Sequence, residues 1–180
     1  MNCFIVTICS LIFSLPVVSQ HYTPVDKGSK VHFTIRNFGI STGGDFSNLK
    51  GQITFDPQNT AVSFFNVTVD VNTIDTDSEN RDEHLKSDNY FDVEKYPVIS
   101  LKSTKIDATD KAGVFQLTGL LTIHGVTKQI SFPFTATQQE NDYLFAGNFE
   151  LNRLDYSVGE SSAIMSNTVN VSLSVLAKRD

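Results

Sequence analysis

The chain has 180 residues, with 14 basic against 20 acidic side chains and a formal charge of -6. That length suits one domain with a substantial single core. The acidic balance excludes the clustered Lys and Arg by which nucleic acid or an anionic membrane surface is held.

Met1 to Leu15 carries no charged side chain and contains an apolar run closed by Pro16 and small residues. The run is shorter than the roughly 20 residues that cross a membrane, and Val17-Val18-Ser19 offers the small-residue processing site of an export signal. Residues 1–19 read as a secretory signal peptide and 20–180 as one mature domain. Both cysteines, Cys3 and Cys9, lie in the leader. The mature chain is therefore expected to have no disulfide, thiolate nucleophile or Cys-bound metal, to be soluble without stable membrane insertion, and to reside in the periplasm or be secreted. His21 falls in the segment just after the leader, which shows no periodicity and reads as a loose amino-terminal stretch.

From residue 30 onward apolar side chains recur at period two, the pattern of strands with one buried face. Val31, Phe33 and Ile35 open it, followed by Ile53 and Phe55, then Phe65, Val67, Val69 and Val71. A charged insert interrupts the series. Ser78 or Asp77 can cap a helix over residues 77–88 whose main apolar side chain is Leu85, so polar a helix that it belongs on the barrel surface or across one end. The strands then resume at Ile99 and Leu101, at Phe115, Leu117, Gly119, Leu121 and Ile123, and at Val126, Ile130, Phe132 and Phe134. Tyr143, Phe145, Gly147, Phe149 and Leu151 form the seventh, and Val169 to Val175 the eighth. Turn residues at Asp56-Pro57, Asp110 to Gly113, His124-Gly125 and Glu140-Asn141-Asp142 make neighbouring strands antiparallel. The chain reads as all-β: an eight-stranded antiparallel up-and-down barrel with one short helical insert between the third and fourth strands, a two-sheet sandwich being the alternative.

Reactive chemistry is sparse in this pattern. Asp75-Thr76-Asp77-Ser78-Glu79 begins like a calcium loop, but Asn80 stands where the turn needs Gly and Lys86 where a bidentate acid is required. Gly159-Glu160-Ser161-Ser162-Ala163 lacks the second Gly of a nucleophile elbow. The four histidines are dispersed, with His32 on the polar face of its strand, and none forms a zinc-type pair. No catalytic residue, metal ligand or cofactor is assigned. Asn66-Val67-Thr68 and Asn170-Val171-Ser172 match glycosylation sequons within strands. What remains is the apolar face. An eight-stranded barrel is either filled by side chains or holds one small ligand, and Gly119 and Gly147 among 14 Phe suggest room along the wall. Periodicity alone leaves both readings open.

The insert Arg81-Asp82-x-His84-Leu85, with Tyr90-Phe91-Asp92-Val93 and Lys95-Tyr96-Pro97, resembles the central signature of the YceI-like family of exported polyisoprenoid-binding proteins. Thr118-Gly119-x-Leu121-Thr122-Ile123-x-Gly125-Val126-Thr127-Lys128 is similar to that family's central hairpin, and Gly44-x-Phe46, Asn152-Arg153 with Gly159, and Val169 to Leu173 extend the likeness over most of Tyr22 to Ala177. Tyr22, Leu101 and Leu120 depart from residues common in relatives. The resemblance implies a lipocalin-like barrel that binds an isoprenoid or other amphiphilic lipid.

The combined expectation is non-enzymatic lipid binding inside the barrel, with no nucleic-acid partner and homodimerisation left open. Phe33, Ile35, Val67, Val69, Leu117, Leu121, Ile123, Phe132, Phe145 and Phe149 are the lining candidates. Arg81 and Asp82 are expected to pair as a structural clamp at the barrel mouth, and Arg153 to act similarly. A ligand-free packed barrel serving as a secreted interaction or stress protein is the rival, and an enzyme acting on a prenylated substrate a further one.

Overall fold

Residues 20–180 are described by the computed structural model, and the expected leader lies outside them. Eight strands follow one another: β1 (His21–Asn37), β2 (Ile40–Thr54), β3 (Phe64–Asp75), β4 (Val98–Ala108), β5 (Val114–Ile123), β6 (Val126–Gln139), β7 (Asp142–Asn152) and β8 (Met165–Arg179). Each pairs antiparallel with the next, and β8 returns to β1, so the sheet closes into an up-and-down barrel. Closure leaves no free edge. The sandwich alternative is set aside by the β1–β8 ladder.

Two hairpins turn on consecutive residues with positive φ, Phe38 at 51° with Gly39 at 76° and His124 at 49° with Gly125 at 73°. This is the turn whose twist matches that of the strands it joins. These turns share one end of the barrel with helix α1 (Glu79–Lys86) and with the loop after β7; we call it the upper end. The lower end carries the chain start, the β2–β3 and β4–β5 connections, and the β6–β7 turn at Glu140.

β1 begins nine residues before the periodic pattern does. His21 is part of it, pairing with Thr54 and meeting that side chain at 3.0 Å. The register breaks between Val25 and Lys30, where Ser29 Oγ donates to the Val25 carbonyl and accepts from Leu176 N at 2.8 Å. A bulge of this kind shifts side chains between faces and hides the alternation.

The lower half of the barrel is solid. Phe55 is 1% exposed and its ring meets Phe65, Phe115, Phe134, Tyr143 and Phe145 with centroids 5.1–6.3 Å apart, mostly edge to face. Ring pairs in that geometry contribute beyond their buried area. Tyr22, Ile53, Ile106 and Leu117 complete the plug.

Candidate functional site

Above the plug the inward faces part, leaving a cavity of about 250 Å³. Its floor is the row Val67, Leu101, Phe149 and Leu173, side chains that both pack on the lower core and line the space. Ile35, Val69, Leu121, Ile123 and Val171 form its walls. Tyr90 and Phe91 cover it from the insert, Phe91 meeting Phe46 edge to face at 5.8 Å.

Seven of the ten lining candidates, Phe33, Ile35, Val67, Val69, Leu121, Ile123 and Phe149, stand on the cavity. Leu117, Phe132 and Phe145 do not. They belong to the lower plug, at 2%, 3% and 5% exposure, because the same inward register continues past the point where aromatic side chains fill the section. The two glycines also have a different role from the one expected. A Cβ on Gly119 would come 2.7 Å from the Lys102 carbonyl, at a bulge in β4, and one on Gly147 would come 3.1 Å from the Phe132 ring. Each gives its space to a neighbouring part of the wall. Phe46, Tyr90, Phe91, Val169 and Leu173 line the cavity as well. Val169 and Leu173 carried a readable signal in their alternation, whereas nothing in the sequence directs Tyr90 and Phe91 inward.

Arg81 and Asp82 hold Thr76 rather than each other. Thr76, 4% exposed at the end of β3, donates both its N–H (3.0 Å) and its hydroxyl (2.5 Å) to Asp82 Oδ1. Arg81 Nε donates to Thr76 Oγ1 at 2.8 Å, and its Nη2 to the Thr76 carbonyl. Among the described residues no ion pair joins Arg81 to Asp82. Both side chains point to the one residue that leads the chain off the barrel, so the clamp is a three-residue knot that seats α1 beside the mouth.

Arg153, in a short 3₁₀ turn after β7, is 4% exposed. It donates to the carbonyls of Ser166 (3.0 Å), Val158 (2.9 Å) and Glu160 (2.7 Å) and to Asn167 Oδ1 (3.2 Å). Burial pulls its pKa below the ordinary value, Tyr90 acting in the opposite sense. The guanidinium stitches the β7–β8 loop to β8, and Gly159 N ties that loop to the Asn89 carbonyl of the insert at 3.0 Å. Two linked segments thereby cover part of the upper end.

The basic residues bordering the cavity, beside the phenols Tyr90 and Tyr156, are His32, Arg81 and Arg153. His32 meets Asp45 Oδ1 at 2.7 Å, so all three are committed to contacts that hold the wall. His32 keeps its expected place on the polar face of β1, half-buried and sharing Asp45 with Lys30 behind the cavity wall. Asn37 Oδ1, also on the lining residues, is buried without a hydrogen-bond partner. Among the described residues no group of three or more His, Cys, Asp or Glu side chains is placed to hold a metal ion, and no helix is long and apolar enough to cross a membrane.

A closed antiparallel barrel with an apolar chamber under a helical cover is the architecture of lipocalin-like proteins. More particularly, the chain belongs to the YceI-like family: the YceI-like domain model matches residues 22–177. It is similar to a UPF0312 protein of Vibrio parahaemolyticus, 34% identical over 77% of this chain and 72% of that one. Among solved structures it is similar to BcnA of Burkholderia cenocepacia, with TM-score 0.79 and 25% identity over 83% of this chain and 96% of that chain. It also shares the fold of a polyisoprenoid binding domain from Saccharophagus degradans, with TM-score 0.74 and 15% identity over 91% of this chain and 100% of that chain.

Proposed function

We propose that this protein is an exported, non-enzymatic lipid carrier whose upper cavity holds the tail of an isoprenoid or similar amphiphile. The observation that carries the reading is the apolar chamber of about 250 Å³ standing above a packed aromatic plug. Membership of the YceI-like family and the name of the Saccharophagus neighbour support the isoprenoid class. The commitment of His32, Arg81 and Arg153 to structural contacts supports binding without catalysis.

The energetics suit exchange. Burying a prenyl tail is worth ~0.8 kcal/mol per CH₂ against water, and a bilayer offers the tail about the same. Transfer between barrel and membrane is then close to balanced, as a carrier or buffer requires. Native mass spectrometry of the protein purified from its own host tests this directly. A mass beginning at Gln20 with an extractable isoprenoid adduct is the expected result. A chain that retains residues 1–19 would refute export by a cleaved leader, and an apo mass combined with no uptake of added isoprenoid amphiphile would refute the carrier.

A further inference from the structure

The β1–β2 hairpin ends in an apolar tip that packing does not explain. Phe38 is 70% exposed, Ile40 69% and Ile164 49%, the three most exposed large apolar side chains among the described residues. They lie together, since Phe38 N donates to the Ile164 carbonyl at 2.8 Å. They also continue the cavity wall. Ile40 pairs with Asn37, Ile164 precedes Met165, and both Asn37 and Met165 line the chamber.

The turn itself points the same way. Phe38 sits at φ 51°, a left-handed conformation that Asn, Asp or Gly adopts at far lower cost than a bulky side chain. Stability of the hairpin would place one of those residues there. Charge is also missing from the tip. Residues 37–44 and 161–177 contain no charged side chain, although the chain carries 20 acidic ones.

We propose that this tip is the surface by which the barrel docks on a phospholipid bilayer, placing the cavity mouth at the level of the lipid tails. Large apolar side chains on an uncharged turn enter the headgroup boundary as interfacial anchors do. A second copy of the chain fits less well. One aromatic side chain offers about 150–250 Å², so three residues fall short of the roughly 800 Å² per partner that a stable protein interface buries. The proposal rests on the reading that the cavity holds a membrane lipid.

The test is flotation of the delipidated protein with phosphatidylcholine vesicles free of isoprenoid. The parent protein is expected to float, and the double variant Phe38→Asn/Ile40→Thr to lose at least about tenfold in partition, since two anchors leave the apolar phase. Asn suits the left-handed turn, so the double variant keeps or raises its melting temperature, which separates docking from folding. Val62→Ser, an exposed apolar change at the opposite end, is expected to float like the parent. Absence of flotation by the parent, or equal flotation of the double variant, would overturn the proposal, as would a parent dimer that the double variant splits into monomers. Uptake of an isoprenoid amphiphile from micelles tests the cavity alone. A double variant that takes it up yet no longer floats supports docking, whereas a parent that floats but takes up none refutes the carrier and leaves docking standing.

Discussion

Leu117 and Leu121 stand on the same face of β5, two steps of the alternation apart with Gly119 between them, and the same substitution at each separates a packed section from a hollow one. Leu117 is 2% exposed and lies in register between Ile106 and Phe132, within the plug. Adding the extra carbons of Phe there forces neighbours off their rotamers at a cost of about 1–3 kcal/mol. For a domain of this size each kcal/mol lowers Tm by about 2–4 °C, so Leu117→Phe is expected to lose roughly 2–12 °C. Leu121 borders the chamber of about 250 Å³, which receives the ring. Its substitution is expected to change stability by less than about 1 kcal/mol, the typical limit for a well-accommodated apolar swap being ~1.5. The functional effects run the other way. Leu121→Phe is expected to abolish or sharply reduce isoprenoid uptake, while folded Leu117→Phe retains it. Thermal denaturation of delipidated proteins, paired with extraction and mass analysis after incubation with lipid, reads both quantities. Equal losses of Tm at the two positions, or full uptake by Leu121→Phe, would refute the division of the barrel into plug and chamber.

Asp82→Ala removes the acceptor of both Thr76 bonds and leaves buried donors unsatisfied, which is expected to cost about 1–3 kcal/mol in chemical denaturation. Lipid uptake by the folded fraction is expected to persist, and a fully stable variant that had lost only its lipid would instead make Asp82 part of the site. Burial holds the hydroxyls of Tyr22, Tyr143 and Tyr156 above the ordinary tyrosine value, with further upward pushes from nearby charges, Arg179 alone pulling Tyr22 down. A raised folded-state pKa favours the neutral form, so this contribution is fully present below the unfolded value of about 10 and declines as pH rises through the folded values. Spectrophotometric titration should show Tyr22, Tyr143 and Tyr156 ionising above the ordinary tyrosine range, together with unfolding; ionisation of all three at the ordinary value in a folded protein would contradict it.

The barrel was legible because β3, β5, β7 and β8 keep their alternation and β4 and β6 keep most of it, interrupted by the bulge after Ser103 and by Lys128, and the hairpin signals at His124-Gly125 and Glu140-Asn141 lie where the chain turns. β2 was nearly invisible. Only Ile53 in it continued an apolar pattern, because Gly43, Gly44 and Gly51 remove side chains and Asn48, at φ 58°, breaks the register against β3. At Gly51 a Cβ would stand 2.1 Å from the Asn66 carbonyl, so the sequence there answers to a backbone contact and not to burial. The site was legible in part for a related reason. Inward register can be read from alternation, but how far aromatic side chains fill the section depends on partners from several strands. Leu117, Phe132 and Phe145 were indistinguishable from Leu121, Ile123 and Phe149 until those partners met. Arg81 and Asp82 were singled out as a pair because they are adjacent, whereas their common partner, Thr76, is five and six residues away across a turn.

The central claim is that a lipid tail occupies the upper chamber and not the lower plug. Intermolecular nuclear Overhauser contacts, measured between an unlabelled isoprenoid amphiphile and methyl-labelled delipidated protein, test it most directly. Contacts to the methyls of Val69, Leu121, Ile123 and Val171, with none to Ile53, Ile106 or Leu117, are the predicted result. Contacts to the plug methyls, or an amphiphile that contacts only the outer surface of the barrel, would contradict the account.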